Sequence, residues 1–292
     1  MNQQKPLVSI CLITYNHEKF IHQALHGILM QKTSFPFEII ISNDLSTDST
    51  EKIALKYEET DDRIRYYNTK RQLGVIGNWI KCLELANGKY VSVIEGDDFW
   101  TDSSKLQKQF DFLEQNPKYS FCFHKLKMIF DRENDKEQYL FQDLTESVYS
   151  IEDVLSKPWF IGTCSIFFRK SFLPHPFPNW VQGLKAIDKP LQLILGDIGP
   201  IGFINETLGV YRIHNNGISQ INWLGKERLF EKSNITIYER FNNYSKRKYN
   251  SIIDPLICKY YLDLIKKNND YKKDLTIIKL YFLYYRIKRK LY

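Results

Sequence analysis

No stretch of the chain approaches the roughly 20 consecutive apolar residues that a bilayer-spanning helix requires, which excludes a helical integral membrane protein. The opening residues, Met1 to Pro6, are polar and run straight into an apolar segment; they lack the hydrophobic core of a secretory leader, so the cytosol is the expected compartment. Cysteine is scarce as well. The five present, Cys11, Cys82, Cys122, Cys164 and Cys258, are odd in number, scattered and without C-x-x-C spacing, which argues against a disulfide framework or thiolate metal site and for reduced, mostly buried thiols. Glycine-rich phosphate loops are missing too. Neither G-x-G-x-x-G nor G-x-x-x-x-G-K-S/T occurs, so dehydrogenase and P-loop readings fail.

What remains is the composition of a globular protein, 43% hydrophobic and 26% charged, and 292 residues are enough for one large domain carrying an appendage. The formal net charge of +7 is unevenly spread. Residues 246–292 hold 13 Lys/Arg against 4 Asp, a surplus of nine, so everything before them sums to about −2. The tail is therefore a separate electrostatic object with its own partner.

Strand and helix signals alternate through the first 125 residues, the pattern of an α/β layered sheet. Apolar runs at Leu7 to Thr14, Phe37 to Ser42, Arg63 to Tyr67 and Tyr90 to Ile94 read as strands. Glu18 to Met30, Asp48 to Tyr57 and Gly77 to Ala86 read as helices, with Ser46 and Asp48 as capping residues. In an open α/β sheet ligands bind beyond the carboxyl ends of the strands. Polar residues sit at those ends: Thr14, Tyr15 and Asn16 after the first strand, Asn43 and Asp44 after the second, and Glu95-Gly96-Asp97-Asp98 after the fourth. The Asn43 to Asp48 stretch serves equally well as a helix cap. Three carboxylates in four residues resist joint ionisation, and a divalent cation such as Mg²⁺ or Mn²⁺ would relieve them; a solvated acidic turn is the alternative.

The ordered set of motifs resembles the inverting nucleotide-sugar glycosyltransferases of family 2. Leu7 to Asn16 (LVSICLITYN) is similar to that family's opening strand, Ile39 to Thr50 (IIISNDLSTDST) to its D-x-S-x-D-x-T signature, and Glu95 to Trp100 (EGDDFW) occupies the place of its D-x-D motif. Asn68 to Trp79 (NTKRQLGVIGNW) matches a segment between them that includes Gly74 and Asn78. The resemblance is strong over residues 5–125, weaker to 220 and absent beyond. It implies a GT-A fold, a Rossmann-like mixed central sheet flanked by helices, over residues 1–220, with a nucleotide-binding half (1–125) and an acceptor half (126–220). Residues 221–292 then form a basic helical extension.

By the same resemblance Asp44 accepts from the uracil of a UDP-sugar, Arg71 helps hold the base, and Thr14, Tyr15 and Asn16 line the nucleotide. Asp97 meets the ribose, and Asp98 coordinates the Mn²⁺ or Mg²⁺ that bridges the donor phosphates. Glu95 stands where many members have Asp. Gly162 to Lys170 reads as a strand entering the site, with Thr163 and Ser165 near the acceptor, or as an ordinary core strand. An inverting transferase needs one carboxylate as base. Asp188, in AIDKPLQL, resembles the family's helix start that supplies it; a helix N-cap is the other reading, and Asp197 and Glu206 are the alternates. In LGVYRIHNNGIS, Arg212 suits the diphosphate and His214 a nitrogen ligand to the metal.

In the tail Ile257, Tyr260, Leu264, Leu275, Ile278, Phe282 and Tyr285 recur at helical spacing beside Lys and Arg, predicting two or three basic amphipathic helices. They dock on an anionic inner leaflet carrying a lipid-linked acceptor, or pack on the body or a second subunit as in a homodimer. A capsule or lipopolysaccharide glycan is the product the resemblance implies. Two rival classes are weighed. A nucleotidyltransferase would open with a glycine-containing phosphate loop, which Ile13 to Glu18 lacks; a nucleic-acid or other polyanion binder would explain the tail but not the strand-end carboxylates, which repel phosphate.

Overall fold

The computed structural model describes residues 5–131, 138–217 and 227–266. The chain divides into two compact units, Met1–Gly217 and Ile218–Tyr292.

Strands β1 (Val8–Thr14) and β2 (Phe37–Asn43) are each seven consecutive buried residues. Such unbroken burial belongs to parallel strands covered on both faces. They pair in parallel from Val8 opposite Phe37 to Thr14 opposite Asn43, so their carboxyl ends are level. Strand β3 (Ile64–Asn68) flanks β2, and β4 (Tyr90–Glu95) flanks β1 with Ile13 opposite Glu95. Beyond β4 the sheet turns mixed. Strand β9 (Phe167–Arg169) runs antiparallel to β4 and to β6 (Phe121–Phe130); β6 is parallel to β10 (Ile201–Ile213), and β10 is antiparallel to the short β5 (Phe99–Trp100). The order is β3-β2-β1-β4-β9-β6-β10-β5, with β7 (Gln138–Leu140) on β6 and β8 (Val148–Tyr149) on β10. The connecting helices are α1 (Ile21–Leu29), α2 (Thr50–Glu58), α3 (Gly74–Leu85), α4 (Lys105–Gln115), α5 (Ile151–Ser156) and α6 (Asp188–Gly196). This is the expected mixed sheet flanked by helices.

Two local expectations need correction. Residues 162–170 are not one strand. A 3-10 turn covers Thr163–Ser165 and the ladder begins only at Phe167. The indole N–H of Trp100 donates to the Cys164 carbonyl at 2.9 Å and the Gln109 amide to that of Ser165 at 2.8 Å, so side chains occupy the carbonyls that a strand would use. Helix α3 begins at Gly74 rather than Gly77, because the Asp44 carboxylate accepts the backbone N–H groups of Leu73 at 2.7 Å and Gly74 at 2.9 Å.

In the second unit α7 (Glu227–Tyr244) packs against α8 (Asn250–Lys266), with Tyr238 stacked on Tyr260 at 5.9 Å and Phe241 on Tyr249 at 5.9 Å. Ile257 and Leu264 of the anticipated stripe are buried. Leu275, Ile278, Phe282 and Tyr285 lie outside the described residues. All five cysteines are free, four buried and Cys258 partly so, and no helix among the described residues is long and apolar enough to cross a membrane.

At the opposite end of the sheet from the strand tips, Glu38 of β2 is buried and accepts from the Ser9 hydroxyl at 2.6 Å, the Asn87 N–H at 2.7 Å and Arg65 Nη1 at 2.7 Å. Burial pushes its proton affinity up, but the Ser9, Asn87 and Arg65 hydrogen bonds together hold the carboxyl below the ordinary glutamate value. The stabilisation is thus present above the unfolded-chain value and is lost as pH falls through the lower folded one. Glu38→Ala is expected to cost about 2 to 3 kcal/mol in urea unfolding at neutral pH, since it strands buried donors. The difference from wild type should shrink as pH falls below about 4.3.

Candidate active site at the strand ends

Two loops at the carboxyl ends of β1 and β2 are laced together by short polar side chains. Asn16 adopts a left-handed conformation (φ 56°), and its side-chain oxygen accepts the Thr47 N–H at 2.7 Å. The N–H groups of Asn16, His17 and Glu18 donate in turn to Ser46 Oγ at 2.9 Å, Thr50 Oγ1 at 2.8 Å and Asp48 Oδ2 at 3.0 Å. The other Asp48 oxygen accepts the Thr50 N–H at 2.9 Å. The N-cap of α2 is Ser49, without a side-chain cap bond, so Ser46 and Asp48 chiefly fix the first loop.

That loop aims His17 at Asp97. His17 Nε2 lies 3.7 Å from Asp97 Oδ2, and His214 Nε2, just past the end of β10, lies 3.0 Å from the same oxygen. One ligand atom from each of the three lies within 4.8 Å of the others, the only such His/Cys/Asp/Glu group among the described residues. Gly96 makes the approach possible. A Cβ there would stand 2.8 Å from His17 Nδ1 and 2.9 Å from Thr14 Oγ1. Both of those atoms are buried without a hydrogen-bond partner among the described residues. Burial lowers the His17 imidazole below its ordinary proton affinity against the pull of Asp97. For Asp97 burial acts upward, but the two imidazoles bring the carboxyl below its usual range.

The neighbouring carboxylate faces the other way. Asp98 is 2% exposed, accepts the backbone N–H of Arg212 at 2.8 Å and accepts a hydrogen bond from the Cys164 thiol. Burial and the adjacent Asp97 charge drive its proton affinity well up. Glu95 is raised in the same way by burial, Asp98, Asp97 and Asp188, and its Oε2 has no hydrogen-bond partner among the described residues. Asp188, first residue of α6, is raised by burial, with the Lys189 N–H opposing. Of the two adjacent carboxylates it is Asp97, not Asp98, that stands beside His214, because the Arg212 N–H holds Asp98 inward.

Of the other expected site residues, Thr14 borders the cluster, while Tyr15 is exposed at the loop's rim. Arg212 threads between Phe20 and Phe99, 4.8 and 5.3 Å from their ring centres, and donates to the Asp97 carbonyl at 2.9 Å and Gln23 at 2.5 Å. Asp44 is held by Thr69, Leu73 and Gly74, which carries φ +70°, and exposed Arg71 rides on this segment. Asn78 does not join them. It is 2% exposed and both ends of its amide engage Ser42, at 2.6 and 2.9 Å, so it pins α3 to β2 instead of touching nucleotide. Among the alternates to Asp188, Glu206 is exposed and paired with Lys108 at 2.6 Å, and Asp197 follows the far end of α6. A cavity of about 400 Å³ opens beside the cluster between Asn16–Phe20 and His214–Asn216. A larger one, about 780 Å³, lies at the amino ends of β1 and β4 around Lys5, Lys89 and Lys170, away from this chemistry. His17 was missed in the sequence although it follows Asn16 directly; the signal was a metal-type ligand one residue past the polar strand end.

A mixed sheet that gathers acids and imidazoles at its strand tips has the GT-A architecture, and solved structures share it. The S. aureus TarS fragment 1–349 in complex with UDP-GlcNAc superposes with a TM-score of 0.64 at 17% identity, over 91% of this chain and 74% of that one. The mannosyltransferase PcManGT of Pyrobaculum calidifontis, solved with GDP-Man and Mn²⁺, gives 0.58 at 15% identity over 99% and 84%. Residues 9–173 match the glycosyl transferase family 2 profile, and the chain belongs to that family. An uncharacterized Mycobacterium tuberculosis protein is 34% identical over 226 residues, 77% of this chain and 64% of its own length, so this chain spans less than two thirds of that relative. The Bacillus subtilis protein named as teichuronic acid biosynthesis glycosyltransferase TuaG is 32% identical over 226 residues, 76% of this chain and 85% of its own.

Gly96→Ala is expected to destabilise the fold by about 1 to 3 kcal/mol, because His17 or Thr14 must move aside. An unchanged thermal unfolding midpoint would show that the loop yields freely.

Proposed function

We propose that this chain is a metal-dependent inverting glycosyltransferase that moves a sugar from a nucleotide donor, a UDP-sugar, to a hydroxyl of a glycan or lipid-linked acceptor in the synthesis of a cell-surface polysaccharide. The observation that carries the reading is the meeting of Asp97 and His214 at 3.0 Å on the rim of a strand-end crevice, with Asp188 close enough to raise the proton affinity of Glu95. The UDP-GlcNAc complex of TarS supports a uridine donor, the GDP-Man complex of PcManGT being the guanosine counterpart, and the name of TuaG points to a polysaccharide product. The surplus of nine positive charges in residues 246–292 suits a lipid-linked acceptor at an anionic membrane surface.

The Asp97 carboxylate suits Mn²⁺ or Mg²⁺ and the His214 imidazole a first-row transition ion, so the residues present fit a divalent cation. When bound, that cation would neutralise charge on the donor diphosphate as the nucleotide departs. Arg212, held by Phe20, Phe99 and Gln23, keeps further N–H donors that would serve the phosphates. Asp44 and Arg71 frame the base, and Thr14, Tyr15 and Asn16 the nucleotide. Asp188 takes the acceptor hydroxyl proton on a carboxylate oxygen whose affinity burial has raised toward the working pH.

Thermal unfolding with UDP, GDP, CDP and TDP, each with Mn²⁺ or with EDTA, tests the donor site. UDP with Mn²⁺ at about 100 times its Kd should stabilise by roughly 2.7 kcal/mol, several degrees for a domain of this size. Asp97→Ala should abolish that shift. No shift with any nucleotide and metal would sink the transferase reading. Asp188→Asn is expected to keep the UDP–Mn²⁺ shift and lose about 10²- to 10⁴-fold in turnover of a UDP-sugar; unimpaired turnover would move the base to another carboxylate.

A further inference from the structure

His17 is not accounted for by the reading above, nor by packing. Its side chain is only 16% exposed, yet Nδ1 has no hydrogen-bond partner among the described residues. The ring does not stack: its centre is 6.3 Å from that of His214, edge-on. Its position is nevertheless enforced. The Thr50 hydroxyl holds its backbone N–H, Ser46 and Asp48 hold the residues on either side, and the absence of a Cβ at Gly96 leaves it room. Four residues from two segments thus act on the placement of one imidazole.

We infer that His17 is a third protein ligand of the donor-site cation, and that the resulting pair of imidazoles with one carboxylate selects a transition-type divalent cation over Mg²⁺. The inference rests on the proposed metal–nucleotide site and adds to it. A six-coordinate cation about 2.1 Å from its ligands places neighbouring donors about 3 Å apart and opposite ones about 4.2 Å apart. The observed separations from Asp97 Oδ2, 3.0 Å to His214 and 3.7 Å to His17, fall within that span, and the three donors lie within 4.8 Å of one another, a limit slightly wider than the span to which a bound cation would draw them. Mg²⁺ favours oxygen ligands and retained water, whereas imidazole nitrogen suits the first-row transition ions. One carboxylate among three ligands gives Mg²⁺ little to hold.

The test is cation binding, not turnover. The full chain is saturated with UDP and titrated with Mn²⁺, followed by electron paramagnetic resonance, and with Mg²⁺ in competition, for wild type, His17→Ala and His17→Asp. Thermal unfolding in EDTA checks that both variants fold. His17→Ala is expected to weaken Mn²⁺ by about 10- to 100-fold or more and Mg²⁺ by less than about threefold, and His17→Asp to shift preference back toward Mg²⁺. Co²⁺ in place of Mn²⁺ gives a second readout, its visible absorption changing when a nitrogen donor is lost. A wild-type Mn²⁺ to Mg²⁺ ratio preserved in both folded variants would overturn the role of His17 and leave the donor site standing. A wild-type chain that binds UDP in EDTA but no cation would overturn both this inference and the metal dependence.

Discussion

Strand β4 delivers Glu95, Asp97 and Asp98 into its buried end within four residues, and much of the surrounding structure answers that electrostatic load. Like charges this close cannot all ionise in a desolvated site, and each is treated differently. Asp98 turns inward onto a backbone N–H from β10 and the Cys164 thiol. Asp97 turns outward between two imidazoles. Glu95 retains one oxygen without a partner among the described residues and is pushed toward its neutral form. The acids sit in the turn between β4 and β5, closed by the Asp98 N–H donating to the Glu95 carbonyl at 3.2 Å, and the Arg212 N–H holds Asp98 on the inside.

The segment from Asp44 to Thr50 is architecture before it is a nucleotide contact. Asp44 starts α3, while Ser46, Asp48 and Thr50 hold the loop after β1. Loops that must present ligands to a polar crevice lose entropy on ordering, and pre-forming them removes that cost from the binding step. A change at Asp48 therefore acts through two loops at once, and its effect on binding is indirect.

Much of this was legible because it is written locally. Each apolar run followed by a polar cluster marks a strand and its tip, and the strand-end position of Thr14, Asp44, Asp97 and Asp98 follows from chain order alone. What order does not carry is direction. Whether Asp97 or Asp98 meets His214 depends on a hydrogen bond from a residue 114 positions away, in β10. Asn78 looked like a ligand because it is polar inside a nucleotide-half segment, but only the packing of α3 on β2 shows its amide consumed by Ser42. The 3-10 turn at Thr163–Ser165 was hidden for a similar reason, since Trp100 and Gln109, distant in sequence, take its carbonyls.

The site's location is set by topology more than by any one loop. To one side of β4 the sheet is parallel, β3-β2-β1-β4, and on the other it becomes mixed through β9, β6 and β10. A crevice opens where connections leave in opposite directions, at the carboxyl end of the strand on that seam. Here that strand is β4, the one bearing the acids. Its parallel side supplies the loop with His17, and the mixed side supplies Arg212 and His214 from β10 and its end. The two halves read from the sequence thus share a single sheet, and the ligands on Asp97 come from both of them. Displacing β10 would at once expose Asp98, release Arg212 and separate His214 from Asp97, so the strand-end cluster depends on one strand register.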